Sequence, residues 1–562
     1  MKRTILSPDQ ISSARSGTRT RHHTPQARQR NEARVTLLLA VVSIAALLYY
    51  YLHQQLLLYG DAAAHLNIAR RVVDNRHPLE SYGQLGTVWL PLQHIAMLPF
   101  VWVNALWQSG VAGAVPGMVA YVLGTLGIFR LIAARAGQLV AYVAAAIYAL
   151  NPNLLYMQST AMNEPIFLAF FIWSLVYLDE FLRATSPPAP DSIFQPVQMR
   201  PRRALEYCGI CMAGGTLTRY DGWFAAAILG AVLTWAFARW LPRIADSRLR
   251  RSATKSFAEV LLLNALVPVY WLVYTWAVSG HALDFATGPY SAKAIDLRST
   301  AQGAPPYPGQ HHLLTAALYF LKAAQLNMGS PIMGRMLLIL AVLGTLLAIW
   351  RFRQFSILLL LWLPLAFYAL SIAYGSVPIY VPVWYPFSYY NVRYGLELLP
   401  VFAVFIAILI GYVVQKLRTS TIGVAVCFAV IAVVAVSCAF AYTESPITLR
   451  EAEVNSRGRL ALEQGLAGAL ANMPRSSTLL MYEAEHPDAL RLAGIPLRHV
   501  ISEAEHPDWE WALLDPARHA DYIVACKGDP VWVAVQPHRA ELTELASIAA
   551  PGQSTCRLYK PK

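Results

Sequence analysis

Residues 35–65 read VTLLLAVVSIAALLYYYLHQQLLLYGDAAAH, and two features of this stretch decide how the rest of the chain is read. From Val35 to Leu58 there is no Asp, Glu, Lys or Arg, and a helix needs only roughly 17 to 25 such residues to cross a bilayer. The run is too long for the apolar segment of a signal peptide and no clear small-residue cleavage site follows it, so it is expected to remain as a span. It ends on Gly60 and Asp61, an acid placed where a helix leaves the membrane. Ahead of it lie Lys2, Arg3, Arg15, Arg19, Arg21, Arg28, Arg30 and Arg34. Cytoplasmic loops collect such cations, so the N-terminus is expected inside and Asp61 outside. Residues 1–34 show no apolar period and are expected to be disordered.

The same pattern recurs. Runs at 113–133, 138–157, 165–182, 222–242, 257–278, 331–350, 355–374, 394–414 and 421–441, with a shorter one at 204–218, bring the total to about eleven spans. Of 562 residues, 56% are apolar and only 14% charged, with a mean hydropathy of +0.41, which excludes an ordinary soluble domain. The formal charge of +13 would otherwise point to nucleic acid. A membrane protein gathers Lys and Arg for topological reasons, so no nucleic-acid partner is implied. Before residue 442, the segments this topology places inside, from the tail to Arg353, Lys416 and Arg418, carry three times as many Lys and Arg as those outside.

Residues 88–107, VWLPLQHIAMLPFVWVNALW, would make a twelfth span and invert everything after it. Inversion would put the loops around Arg202 and Arg250 outside. Pro91, His94, Pro99 and the Trp residues fit instead a helix lying in the interface, where indole rings prefer to sit. The C-terminus is then outside. Residues 442–562 are polar, and strand-like runs (Thr478–Tyr482, Ala520–Ala525) alternate with helix-like ones, as in a small α/β domain. The expected architecture is an α-helical polytopic membrane protein: a tail at 1–34, a bundle at 35–441 with a long first outer loop at 59–112, and an extracytoplasmic α/β domain at 442–562.

Ionisable groups at the mouth of a helix bundle are costly to place and are functional candidates by default. Asp61 is one, although an acid there also makes a good N-cap for the Ala-rich segment that follows. Met162-Asn163-Glu164-Pro165 opens another span; Pro165 suits a first helical turn and a carboxylate favours the helix dipole, so Glu164 has a structural reading too. In Leu217-Thr218-Arg219-Tyr220-Asp221-Gly222, Arg219 and Asp221 are placed to neutralise each other. Tyr389-Tyr390-Asn391-Val392-Arg393 precedes the span at 394–414. Arg393 either snorkels toward headgroups or clamps a phosphate with its planar fork.

Cys208-x-x-Cys211 lies in an apolar stretch with no second pair, which argues for a structural role. Cys526 and Cys556, alone in the polar C-terminal part, are expected to form a disulfide outside the cytoplasm. Glu-Ala-Glu-His-Pro-Asp occurs twice, at 483–488 and 503–508, either as a metal site or as two Pro-containing loops before helices.

These features together resemble the GT-C superfamily of polytopic glycosyltransferases, which includes protein O-mannosyltransferases, lipid A aminoarabinose transferases and oligosaccharyltransferase catalytic subunits. The resemblance rests on Gly60-Asp61 opening a long first outer loop, the interfacial Trp/Pro helix, Asn163-Glu164-Pro165 and the outer C-terminal domain. It implies transfer of a hexosyl or pentosyl unit from a polyprenyl-phosphate donor to an acceptor protein, lipid or glycan. Asp61 would be the catalytic base, and Glu164 a second acid holding acceptor, donor or metal; a divalent cation, Mg or Mn, is compatible with this but not required. Many relatives have a paired acid in the first loop and a Lys-Pro-Pro-Leu stretch before the interfacial helix. Here Ala62 follows Asp61, and the stretch reads Val88-Trp89-Leu90-Pro91-Leu92. Without that Lys, the donor phosphate falls to Arg393 or Arg219, and His65, Tyr220, Asp221 and Tyr390 are the candidates to bind substrate.

The chemistry suits the placement. A lipid-phosphate sugar keeps its tail in the bilayer and its headgroup at the interface. Its phosphate leaves without a general acid, given cations to receive it, and one carboxylate suffices to take the acceptor's proton. One carboxylate and no covalent intermediate imply inversion. A polymerase or ligase of lipid-linked glycans would use the same carrier. A transporter would instead show inverted repeats and interrupted helices meeting at midplane, and a purely structural membrane protein would leave the outer acids without purpose.

Overall fold

The computed structural model describes residues 25–185, 200–299, 305–351, 355–417 and 420–562. Among them, nine helices are long and apolar enough to cross a membrane, and the chain is a multi-pass membrane protein. The first span belongs to the helix Pro25–Leu52, which starts inside the stretch expected to lack structure. Glu32 on its early turns pairs with Arg130 at 2.9 Å. Lys2, Arg3, Arg15, Arg19, Arg21, Arg353 and Arg418 lie outside the described residues.

Two of the eleven expected spans are shorter than a bilayer requires. The stretch 138–157 breaks into helices Gln138–Ala149 and Pro152–Met157. At the break, Asn151 caps the second helix by accepting from the Leu154 N–H at 3.0 Å, and Pro152 occupies the first-turn position that needs no N–H. The other is Pro201–Thr216, about 24 Å long at 1.5 Å per residue.

Residues 88–107 do not span. They form two short helices, Leu92–Val101 and Asn104–Ser109, with Ile95, Trp102 and Val103 on the outside and Met97 and Val101 fully buried. That one-sided greasiness is what an interfacial segment requires. An apolar helix that the loop expected at 279–330 did not foresee, Leu313–Leu326, packs beneath the segment that carries Arg393.

The C-terminal part has a five-stranded sheet in the order β2-β1-β3-β5-β4. Strands β1 (Leu479–Met481), β2 (Val500–Ile501) and β3 (Tyr522–Cys526) are parallel. Strands β4 (Leu542–Ile548) and β5 (Cys556–Pro561) run antiparallel to each other, and β5 antiparallel to β3. Cys526 and Cys556 face each other in the β3–β5 register and are joined in a disulfide. The helix Ile447–Leu470 leads into the sheet, and its buried Leu449, Ala452 and Leu462 belong to the same apolar core as the bundle.

The duplicated hexapeptide is a repeated strand–loop–helix unit. One copy follows β1 and opens the helix Pro487–Ala493; the other follows β2 and runs into Asp508–Leu514. Its acids meet arginines. Glu483 takes Arg71 at 3.0 Å, Asp488 takes Arg459 and Arg491, and Asp508 takes Arg76 at 2.9 Å. The two histidines have separate surroundings: His486 is buried 3.8 Å from the Cys556 sulfur, whereas His506 pairs with the exposed Glu510. The repeat therefore does not assemble the metal site entertained from the sequence. Cys208 is buried and donates to the Ser174 carbonyl at 3.4 Å, which fits its structural reading.

Candidate functional site

The helix Gly60–Val73 begins directly after the first span, and its cap residue is Tyr59, with no side chain closing the helix start. Asp61 therefore sits inside the first turn and is not the N-cap. Its carboxylate is drawn instead to Arg393, whose Nη2 lies 2.6 Å away. His65 follows one turn later on the same helix face. The His65 Nδ1 lies 2.8 Å from Nε2 of the buried His94, and its ring rests against Trp89 at 4.5 Å. Burial, with Arg393 and Arg219 nearby, lowers His65 to about 3, so at neutral pH it is an uncharged hydrogen-bonding group.

Glu164 opens the helix Glu164–Thr185 and is fully buried. One of its oxygens is shared between Arg393 Nε at 3.1 Å and Arg219 Nη1 at 3.3 Å; the other has no hydrogen-bond partner among the described residues. Arg219 occupies the turn between the helices Pro201–Thr216 and Tyr220–Trp240. It reaches Asp221 at 3.0 Å and Glu397 at 3.2 Å, the Asn163 side-chain oxygen at 2.6 Å and the Tyr368 hydroxyl at 2.7 Å. The neutralisation of Arg219 by Asp221 expected from the sequence is present, but within a wider network.

Arg393 is placed by the irregular backbone before its span. Tyr390 pairs with Tyr380 in an antiparallel bridge, and Asn391 turns through the left-handed region at φ 55°, its side chain donating to the Pro378 carbonyl at 3.0 Å. The 3-10 turn Val392–Leu398 follows. A side chain at Gly395 would collide with the backbone of Ala323 and Ala324, so only glycine lets the turn settle on the helix Leu313–Leu326. Glu451 accepts from the Val392 and Arg393 N–H groups at 3.2 and 3.1 Å and faces the Arg393 guanidinium at 3.8 Å. The Tyr394 ring lies about 5 Å from both guanidinium carbons, at 5.1 Å from Arg219 and 5.0 Å from Arg393.

These groups border a cavity of about 1020 Å³. Asp61, His65, Glu164, Arg219, Asp221 and Arg393 line its polar end. Tyr290, Tyr307, Tyr380, Tyr385 and Tyr390 line the rest with rings. All eight residues singled out from the sequence border this one cavity, in different roles. Asp221 is buried against Arg219 and Tyr368. Tyr220 contributes its ring, since its hydroxyl already donates to the Val88 carbonyl at 2.8 Å and accepts from Trp271 at 3.1 Å.

Glu397, Glu451 and Tyr368 were not found from the sequence. Glu397 had a signal, an acid within an apolar run; Glu451 had none, lying in a polar segment of ordinary composition. Of the carboxylates around the cavity, Asp61, Glu164 and Asp221 are paired with guanidiniums. Among the described residues, the two sets of His, Cys, Asp or Glu close enough to share an ion are His486–Cys526–Cys556 and Asp515–His538–Glu541, both far along the chain from these acids, and the sulfurs of the first are in the disulfide.

No protein-family model and no curated protein matches the chain. Solved structures do. The chain is similar to ArnT from Cupriavidus metallidurans in the apo state, with 14% identity and a TM-score of 0.52 over 92% of this chain and 97% of that one. It is similar to the same protein bound to undecaprenyl phosphate, with 14% identity and a TM-score of 0.55 over 93% of this chain and 97% of that one. A more remote likeness is to the archaeal oligosaccharyltransferase AglB from Archaeoglobus fulgidus in complex with an inhibitory peptide and a dolichol-phosphate, at 14% identity and a TM-score of 0.42 over 89% of this chain and 70% of that one. The fold is thus of the GT-C type that the sequence resemblance implied, shared with ArnT over nearly the whole of both chains.

Proposed function

We propose that the protein is an inverting glycosyltransferase that moves a hexosyl or pentosyl unit from a polyprenyl-phosphate donor to an acceptor hydroxyl on the extracytoplasmic side of the membrane. Asp61 is the general base, and Arg393 with Arg219 receives the phosphate. The observation that carries this reading is the contrast between two acids on one arginine. The Asp61 side chain is 42% exposed where Glu164 is 0%, so Asp61 is the better placed of the two to meet a substrate proton. In the reaction the acceptor oxygen bonds to the anomeric carbon as the carbon–oxygen bond to phosphate breaks. The bond pair leaves with the phosphate, toward the guanidiniums, and the acceptor proton passes to Asp61. The undecaprenyl phosphate bound to ArnT, a protein of the same fold, supports a polyprenyl phosphate as the carrier. The distribution of Lys and Arg supports the orientation. The acceptor is a protein, lipid or glycan hydroxyl.

The test is Asp61→Asn, which keeps the size of the side chain and one acceptor oxygen but loses the charge and cannot take a proton at neutral pH. Lipid co-purifying with the protein, identified by mass spectrometry, supplies the donor. Transfer of its sugar is expected to fall at least about a hundredfold, within the range of general-base effects, in a variant that still folds and binds donor. Wild-type turnover in that variant would move the base elsewhere, and Glu164 would be the next residue to replace.

A further inference from the structure

We propose that Asp61 and the donor phosphate compete for the same edge of Arg393, so that the base is set free only when donor is bound. The inference rests on the donor reading above and concerns what the site does before the donor arrives. Arg393 is fixed from its closed side. Glu164 holds Nε at 3.1 Å, and Glu451 holds the backbone N–H at 3.1 Å and faces Nη1 at 3.8 Å. The side chains of Glu164 and Glu451 are 0% and 1% exposed, against 42% for Asp61. The remaining edge, Nη2, is bonded to Asp61 at 2.6 Å, and Asp61 is the partner that stands open to the cavity.

A phosphate entering that cavity meets a guanidinium whose accessible edge is already occupied. It can form the charge-assisted bonds that suit a guanidinium only by displacing the Asp61 carboxylate, and its own negative charge then keeps the carboxylate away. While paired, the Asp61 Oδ2 is occupied by Arg393 Nη2 and is not available to the acceptor hydroxyl. Once displaced beside the phosphate, that oxygen is free to accept from the acceptor hydroxyl. Donor binding thus creates the base and places it next to the anomeric carbon, and the acceptor follows the donor. The site without donor holds no free base.

The experiment measures binding of undecaprenyl phosphate, carrying no sugar, to the purified full chain in detergent. Asp61→Asn removes the competitor and is expected to bind roughly three- to tenfold more tightly than wild type, the scale of a partly exposed ion pair. Glu164→Gln removes an equal charge at a similar distance from Arg393, but on the closed side, and is expected to bind no more tightly than wild type. If Glu164→Gln does not fold, Glu451→Gln serves as the same control. Unchanged or weaker binding by Asp61→Asn overturns the competition, and equal tightening in Asp61→Asn and the control reduces it to general charge repulsion. Failure of wild type and Asp61→Asn alike to bind the lipid removes the donor reading itself, and the inference with it.

Discussion

Around Arg393 and Arg219, the carboxylates of Asp61, Glu164, Asp221, Glu397 and Glu451 converge from distant parts of the chain. At the seam between the helix Gly60–Val73 and the sheet, Arg71, Arg76, Arg459 and Arg491 meet the acids of the duplicated hexapeptide in much the same way. Both clusters are rich in guanidinium–carboxylate pairs and both are largely buried. The difference is access. Asp61 opens on a large cavity, whereas Glu483 and Asp488 at the seam are 2% and 0% exposed. Residue type and burial do not separate a site from a seam; an open partner does. Buried ion pairs also say little about net stability, although breaking one by removing a single partner is costly.

The comparison is sharpest if each cluster loses one arginine. Arg393→Ala is expected to lower sugar transfer per folded molecule by about 10² to 10³, the usual effect of removing a group that stabilises developing charge, along with some loss of stability because the buried Glu164 and Glu451 lose a partner. Arg393→Lys is expected to restore part of the rate, since it brings back the charge without the planar fork. Transfer at the wild-type rate in the Ala variant would make Arg393 structural and erase the distinction drawn here. At the seam the expectation reverses. Arg71→Ala leaves Glu483 buried without its cation, which typically costs about 3–5 kcal/mol. The melting temperature should fall while transfer per folded molecule stays near wild type. A fall in turnover without a fall in stability would bring the seam into the site.

Much of this was legible because apolar runs and the charges flanking them are one-dimensional signals. The runs became helices, and the Pro- and Trp-rich stretch at 88–107 stayed out of the span set. Asp61, Glu164, Arg219 and Arg393 met at one cavity because each lies at a helix end on the same side of the bundle. What the sequence hid depends on long-range return of the chain. Glu451 reaches Arg393 only because the helix Ile447–Leu470 folds back onto the bundle, where Thr448 donates to the Asn153 side chain at 3.0 Å. Among the duplicated acids, Glu483 and Asp508 resembled metal ligands because their partners, Arg71 and Arg76, lie some four hundred residues earlier. The break at Asn151-Pro152 was a readable start signal, overridden by the apolar run around it.

The smallest expected effect is a pH dependence confined to the seam. Glu503 accepts from the Glu483 N–H at 3.0 Å, and Arg71, Glu483, Tyr290 and Tyr482 surround it. Burial raises its carboxyl to about 7; Arg71 opposes the shift and Glu483 adds to it. A Glu in the unfolded chain titrates near about 4.3, so the folded state keeps a proton that the unfolded state has already lost. Stability from this group is therefore fully present below the unfolded value and is lost as pH rises toward 7. Glu503→Gln retains a carbonyl oxygen for the Glu483 N–H and never ionises. The variant should melt closer to wild type at pH 5 and a few degrees higher at pH 8, since a rise from about 4.3 to about 7 is worth on the order of 2–3 kcal/mol between those pH values. Glu505 and the other acids of the seam titrate in both proteins, so the difference between the two melting curves isolates Glu503. A constant offset between them from pH 5 to pH 8 would show that Glu503 keeps one protonation state throughout, and the seam would then be a fixed joint with no response to pH from this residue.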